Sequence, residues 1–450
     1  MVMSLEELRA KVYSQKELIP SLYGDIDFDI VPERFTASMN EKSMLPDGYA
    51  KKYRHQVLND PERVERARLY TMLGDTVADR YAALAGQIRM PLLIKMLTDA
   101  CDKGVENVPD APQELVDFIR AMEYIPEWLD MELVEEGARV TRNYMANMVP
   151  FAIRGAFIAT FMNKYSGLPM ALTGALSNET SKSRINETAT FFTTASLPGA
   201  LDRFGPGFKA AAMVRLMHSM VRFNILKRSK KWDVKVYGIP LPQIDQMPAG
   251  TMPAFMAAFR YVTKGKQVFS RSDQATAELN RYQSYLLGLP EDLLGETPQQ
   301  IFDNMLTYAA TLREGYDDDT CGELTRATMA AYRPQDKSLR SRIYNEAEKG
   351  FSKVFFTQTF LKGSTRSRAK QMGVEPKLRD YLMFIGSTLY FTPRLQSHII
   401  ARHIPVVNEL ADRVLVKRIH GLLEEYGQAR FVSDGDQYTM GEKKGGKRAA

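Results

Sequence analysis

From about residue 61 to 430 apolar side chains recur every three to four positions, while period-two runs rich in Val, Ile and Thr are scarce. Without strands to pair, such a chain must bury its apolar stripes helix against helix, so the expected fold class is mainly α. Proline and glycine break the pattern at "NVPDAP" (107–112), "SGLP" (166–169), "SLPGALDRFGPG" (196–207), "YGIPLPQIDQMPAGTMP" (237–253), "GLPEDLLGETP" (288–298) and "YRPQDK" (332–337). These breaks punctuate helices without isolating a second domain, and no repeat recurs at a fixed period. The expected architecture is a single large helical domain over 61–430, opened by Asp60 as N-cap and Pro61 as first helical residue. Residues 1–60 read as an N-terminal arm, irregular between 20 and 50, and 431–450 as a disordered basic tail.

Composition narrows the classes further. The two cysteines, Cys101 and Cys321, are far apart and form no Cys-x-x-Cys, which excludes a disulfide framework, a zinc ribbon and c-type haem attachment. The N-terminus has acids where a signal peptide is basic and lacks a long apolar stretch, so a cytoplasmic location is expected. The most apolar run, "FAIRGAFIATFM" (151–162), contains Arg154 and falls short of the ~20 residues of a membrane span. The formal charge of +6 is largely local: the tail "GEKKGGKRAA" and the run "KRSKKWDVK" at a helix end carry much of it. No nucleic-acid motif accompanies these charges, so nucleic acid is not an expected partner.

The informative stretch is "SRINETATFF" (183–192). It reads as helix, yet Arg184, Glu187 and Thr188 share the face that carries Phe191. After "LPGALDRFGP" comes a second helix, "GFKAAAMVRLMHSMVRFNILKR" (207–228), so the two form an αα-hairpin and run roughly antiparallel. Thr188 precedes Pro198 by ten residues and His218 lies twelve beyond Pro206, which puts them about 15 and 18 Å along their helices from the turn. The two levels nearly coincide. On the second helix Arg215, His218 and Arg222 also share a face.

Burying unpaired charges in an apolar hairpin is costly, so something must satisfy them. A haem b between the two helices would do so. His218 supplies the imidazole that iron requires, Arg215 and Arg222 are cations for the two propionates, and the surroundings are apolar. Opposite, Arg184 and Thr188 can donate hydrogen bonds to dioxygen as co-substrate, with Glu187 as proton carrier or as partner of Arg184. The same residues also fit a plainer account, with His218 a hydrogen-bonded core residue and Arg184–Glu187 an ordinary i, i+3 ion pair. Directly packed helices lie about 8–10 Å apart, so the haem reading requires the pair to splay, which the ten-residue connection permits.

The residues so assembled resemble the latex-clearing protein (rubber oxygenase) family, which includes the endoplasmic-reticulum-bound oxygenase of mycophenolic acid synthesis. The resemblance runs from "PEWLD" (126–130) to "GTMPAFMAAF" (250–259). Its core is Arg-x-x-Glu-Thr at 184–188, the interval of 30 residues from Thr188 to His218, and "VRLMHSMVR" (214–222). Trp232, Gly238, Pro240, Asp245, Thr251 and Phe255 come after it in order.

The resemblance implies a globin-like helical core and a b-type haem. His218 would be the proximal ligand, Arg184, Glu187 and Thr188 the distal side, and the reaction oxidation or scission of a carbon–carbon double bond with dioxygen. Rubber-cleaving members can carry Lys at the position of Glu187 and are secreted. Both departures point from rubber toward a smaller apolar substrate, isoprenoid or lipid-like. A non-catalytic haem- or lipid-binding helical protein is the alternative expectation; oligomeric state is not legible.

The other histidines suggest less. His398 and His403 in "QSHIIARHIP" stand about 140° apart around a helix and do not converge on one metal. Neither Glu-x-x-His nor His-Glu-x-x-His occurs, and "YDDDT" (316–320) lacks calcium-loop spacing.

Overall fold

A computed structural model describes residues 3–173, 178–361 and 366–427. The expected tail 431–450 lies outside them. Among the described residues there is no strand, and the only β-type pairings are the isolated bridges Phe35–Leu312 and Ser43–Arg313. The longer helices that build and position the candidate site are α1 (Leu5–Leu18), α2 (Pro61–Tyr70), the short α3 (Ala78–Ala83), α4 (Met131–Asn147), α5 (Val149–Ala159), α6 (Asn178–Thr194) and α7 (Pro206–Arg228). After them come α8 (Gln243–Thr263), α9 (Arg271–Leu286), α10 (Pro298–Thr311), α11 (Leu339–Thr359), α12 (Leu378–Ala401) and α13 (Pro405–Tyr426). The class is a single helical domain, as the periodicity implies.

Local chemistry sets the helix starts. Asp60 accepts from the Arg63 amide at the head of α2, with Pro61 at the first position. Gly205 and Pro206 open α7 in the same way, without a side-chain cap. A capping box of Thr297 and Gln300 starts α10. Between helices, close approach is licensed by glycine: a Cβ on Gly137 of α4 would lie 2.1 Å from the Ala275 carbonyl oxygen of α9.

The N-terminal arm, irregular in sequence between 20 and 50, packs into the domain. Leu8 and Val12 of α1 are wholly buried, as is Tyr23, and Phe28 and Phe35 belong to the same core cluster as Phe191, Phe208 and Leu216. Backbone bonds strap the segment across the domain, from Glu33 N to Lys235 O (2.8 Å), Arg34 N to Val236 O (3.0 Å) and Thr36 N to Thr311 O (2.8 Å). The irregular backbone satisfies its polar groups on other elements, so no helical periodicity was needed to bury it.

The apolar run 151–162 covers most of α5 and the turn after it. Its Arg154 is buried and faces Glu348 of α11, Nε to Oε2 2.8 Å, with Arg333 on the same carboxylate. No described helix is long and apolar enough to cross a membrane.

Candidate active site

The expected hairpin is present. Helices placed by sequence at 182–197 and 207–228 are observed as α6 and α7, joined by turns in which Gly207 N and Phe208 N both bond the Ala200 carbonyl. Around α7, polar and apolar side chains mix so thoroughly that no single apolar stripe exists, because the helix is enclosed by protein on several sides.

Arg215 and Arg222 have a different occupation from the propionate pairing expected of them. Arg215 forms a forked ion pair with Asp75, Nε to Oδ2 2.5 Å and Nη2 to Oδ1 2.9 Å. Gly288, at φ +87°, stands over this pair, and a Cβ there would lie 2.5 Å from Asp75 Oδ2 and 2.6 Å from Arg215 Nε. Only glycine combines that backbone with that clearance. Arg222 engages Asp79 Oδ1 (2.8 Å), the Leu241 carbonyl (2.8 Å) and Ser219 Oγ (3.0 Å), while Tyr23 donates to Asp79 Oδ2 (2.6 Å). Both side chains of the Arg222–Asp79 pair are fully buried. The two arginines thus clamp α7 onto the segment 75–79.

His218 lies between them on the same helix. Its Nδ1 is 2.9 Å from Gln246 Oε1, Gln246 Nε2 is 3.2 Å from Gln243 Oε1, and Gln243 Nε2 is 3.3 Å from the Gly74 carbonyl. A carbonyl can only accept, so the whole chain has one polarity and the imidazole must donate from Nδ1. Nε2 is left as the basic nitrogen. Burial lowers the ring's pKa to about 4, against the Gln246 bond, and the charges of Arg222 and Arg184 press in the same direction as burial. The half-buried ring is therefore neutral at pH 7.

On α6, Arg184 Nη1 meets Glu187 Oε2 at 3.1 Å, and both side chains are partly buried. Thr188 donates its hydroxyl to the Arg184 carbonyl (2.9 Å), the bond back along the helix that threonine makes when no stronger partner competes. Arg184 is near enough to His218 for its charge to act on the ring. The structure thus brings Arg184, Glu187 and Thr188 together on one helix, with the Arg184 charge felt at His218.

Sequence reasoning did not identify Asp75, Asp79, Gln243 or Gln246. The i, i+4 acids and the i, i+3 glutamines are visible spacings, but such spacings occur on any solvated helix. The motif residues downstream of His218 are structural. Trp232 Nε1 donates to the Gly238 carbonyl (2.9 Å), Asp245 pairs with buried Arg34 (Nη1 to Oδ2 2.9 Å), and Phe255 stacks on Phe302. His398 lines a cleft of about 150 Å³ with Asn143, Arg402 and Asp412, built from other helices than those carrying His218 and Arg184.

No protein-family model matches the sequence, and no curated protein matches it. Among solved structures, latex clearing protein LCP in the closed state superposes with a TM-score of 0.55, covering 79% of this chain and 91% of that one, at 16% identity. The fold is latex-clearing-protein-like. At that identity the likeness concerns the path of the backbone, and the chemistry of the site has to be argued from the side chains above.

Proposed function

We propose that this chain is a b-type haem-dependent oxygenase that oxidises or cleaves a carbon–carbon double bond of an apolar, isoprenoid or lipid-like substrate with dioxygen. The observation that carries this reading is the amide relay behind His218. A histidine serving only as core would gain from having both ring nitrogens bonded; here one nitrogen is fixed as donor and the other is left basic on a neutral ring. That donor set fits an iron porphyrin, and the latex-clearing-protein-like fold agrees with it.

Bound haem would supply a redox-active iron at which dioxygen is activated. His218 would hold that iron through Nε2. Gln246 and Gln243 keep the ring's orientation and its proton on Nδ1. Arg184, oriented by Glu187, would supply a fixed positive charge to stabilise negative charge developing on oxygen. Thr188 adds a hydroxyl that can turn from the Arg184 carbonyl to donate, and the Glu187 carboxylate can hold or release a proton beside it. Arg215 and Arg222 enter this reading as clamps that hold α7, and hence His218, at fixed height.

The test is the visible spectrum of the chain expressed with adequate iron. A Soret band in the wild type that is lost or displaced in His218→Ala supports the proposal; a colourless protein that refuses haemin refutes it. Haem uptake with no oxygen consumption on any isoprenoid or unsaturated lipid would leave a haem carrier instead.

A further inference from the structure

Along α12, Leu378, Leu382, Ile385 and Leu389 succeed one another at intervals of four, three and four residues. All four face outward, with 77%, 59%, 54% and 70% of their surface exposed. The other side of the helix is packed against the domain, where Ser387, Phe391 and Leu395 are buried and Phe384 stacks on Phe351 of α11. The helix therefore carries two apolar faces, and among the described residues only one of them is packed.

Two features say what covers the second face. The 4-3-4 spacing is the narrow seam by which one helix interlocks with another, and Gly386 beside it would meet nothing within 4 Å even with a Cβ, so a second helix can approach closely. Further exposed apolar side chains follow at Ile400, Ile404, Val406 and Leu410. Together these side chains present on the order of 1,000 Å², beyond the few hundred usual for a monomer and enough for the ~800 Å² each partner gives to a stable dimer. Charge speaks against a lipid surface. Arg379 is held by Glu346 (2.9 Å), Arg394 lies over the Tyr390 ring (4.0 Å), and no lysine stands between Lys377 and Lys417 to reach anionic headgroups.

We propose that α12 is the interface of a homodimer in which two copies pair seam to seam about a two-fold axis. Leu382 and Ile385 of one copy then meet the same residues of the other, since a two-fold makes the patch self-complementary. This assignment is independent of any haem chemistry.

Sedimentation equilibrium of the full chain tests it. The expected mass is twice that of one chain, reverting to a single chain in Leu382→Glu/Ile385→Glu with the helical circular dichroism unchanged. As a second measurement that does not depend on that variant folding, Ile385→Cys should cross-link to itself on mild oxidation, because Cys101 and Cys321 are buried. A wild type that sediments as one chain at every concentration overturns the proposal. So does flotation with phosphatidylcholine–phosphatidylserine vesicles that is lost in Leu382→Glu, which would assign the seam to a membrane.

Discussion

His218 donates its Nδ1 proton to Gln246 across 2.9 Å, and the relay behind Gln246 ends on the carbonyl of Gly74. Because that carbonyl cannot donate, the position of one proton on the imidazole is decided by a backbone group 144 residues earlier in the chain.

Gln246→Leu should release that proton. In the haem-free protein, nitrogen NMR of His218 is expected to show one tautomer in the wild type and a mixture in the variant, with haemin affinity weakened about tenfold or more. Unchanged tautomer populations would remove the relay from the account, whatever the protein binds.

Acid should destabilise the haem-free fold through the same ring. The pKa of His218 is lowered from an ordinary 6.5 to about 4, chiefly by burial, so above pH 6.5 the ring is neutral folded or unfolded. As pH falls below 6.5 the unfolded chain takes up the proton first, and stability is lost until about pH 4, by roughly 3 kcal/mol at most. Urea melts of the wild type and His218→Ala across that window measure it; equal pH slopes for both would contradict the assignment.

Asp79→Ala leaves the Arg222 guanidinium buried without its directly bonded carboxylate, with only the more distant Asp75, already paired with Arg215, as counter-charge. The expected loss is about 3–5 kcal/mol, because both side chains are fully buried and the remaining charge cannot reach water. Replacing both partners together, Asp79→Leu with Arg222→Met, should recover much of it. A single-variant loss below about 1 kcal/mol in chemical denaturation would show that water relieves the site.

Arg184→Ala should keep the haem spectrum and lower kcat by about 100-fold or more on the true substrate, as removal of one donor to developing charge does elsewhere. Oxygen uptake at saturating substrate reads this directly, and an unchanged kcat would strip Arg184 of its role. Glu187→Gln, which keeps the shape but removes the charge at 3.1 Å, should have a smaller effect on haem binding than on turnover.

Local features of the sequence were sufficient for the helices themselves. Asp60 and Pro61 start α2 because a cap and a fixed φ act within a few residues, and the turn between Thr194 and Pro206 produces the hairpin for the same reason. The shared face of Arg184, Glu187 and Thr188 is likewise a matter of helical geometry.

Partners across the chain were another matter. That Arg215 and Arg222 meet Asp75 and Asp79, that the Gln243–Gln246 pair backs His218, and that Leu8, Val12, Tyr23 and Phe28 join the core all depend on segments far apart in sequence. Side-chain periodicity reports which face of an element is apolar, whereas the identity of what packs against that face is settled only when all the faces compete for burial together. The helical class and the shared polar face of Arg184, Glu187 and Thr188 were thus written into short stretches of residues. The clamp, the relay and the protonation of the imidazole came into being only with the tertiary fold, since each requires a charge or a carbonyl delivered from another helix.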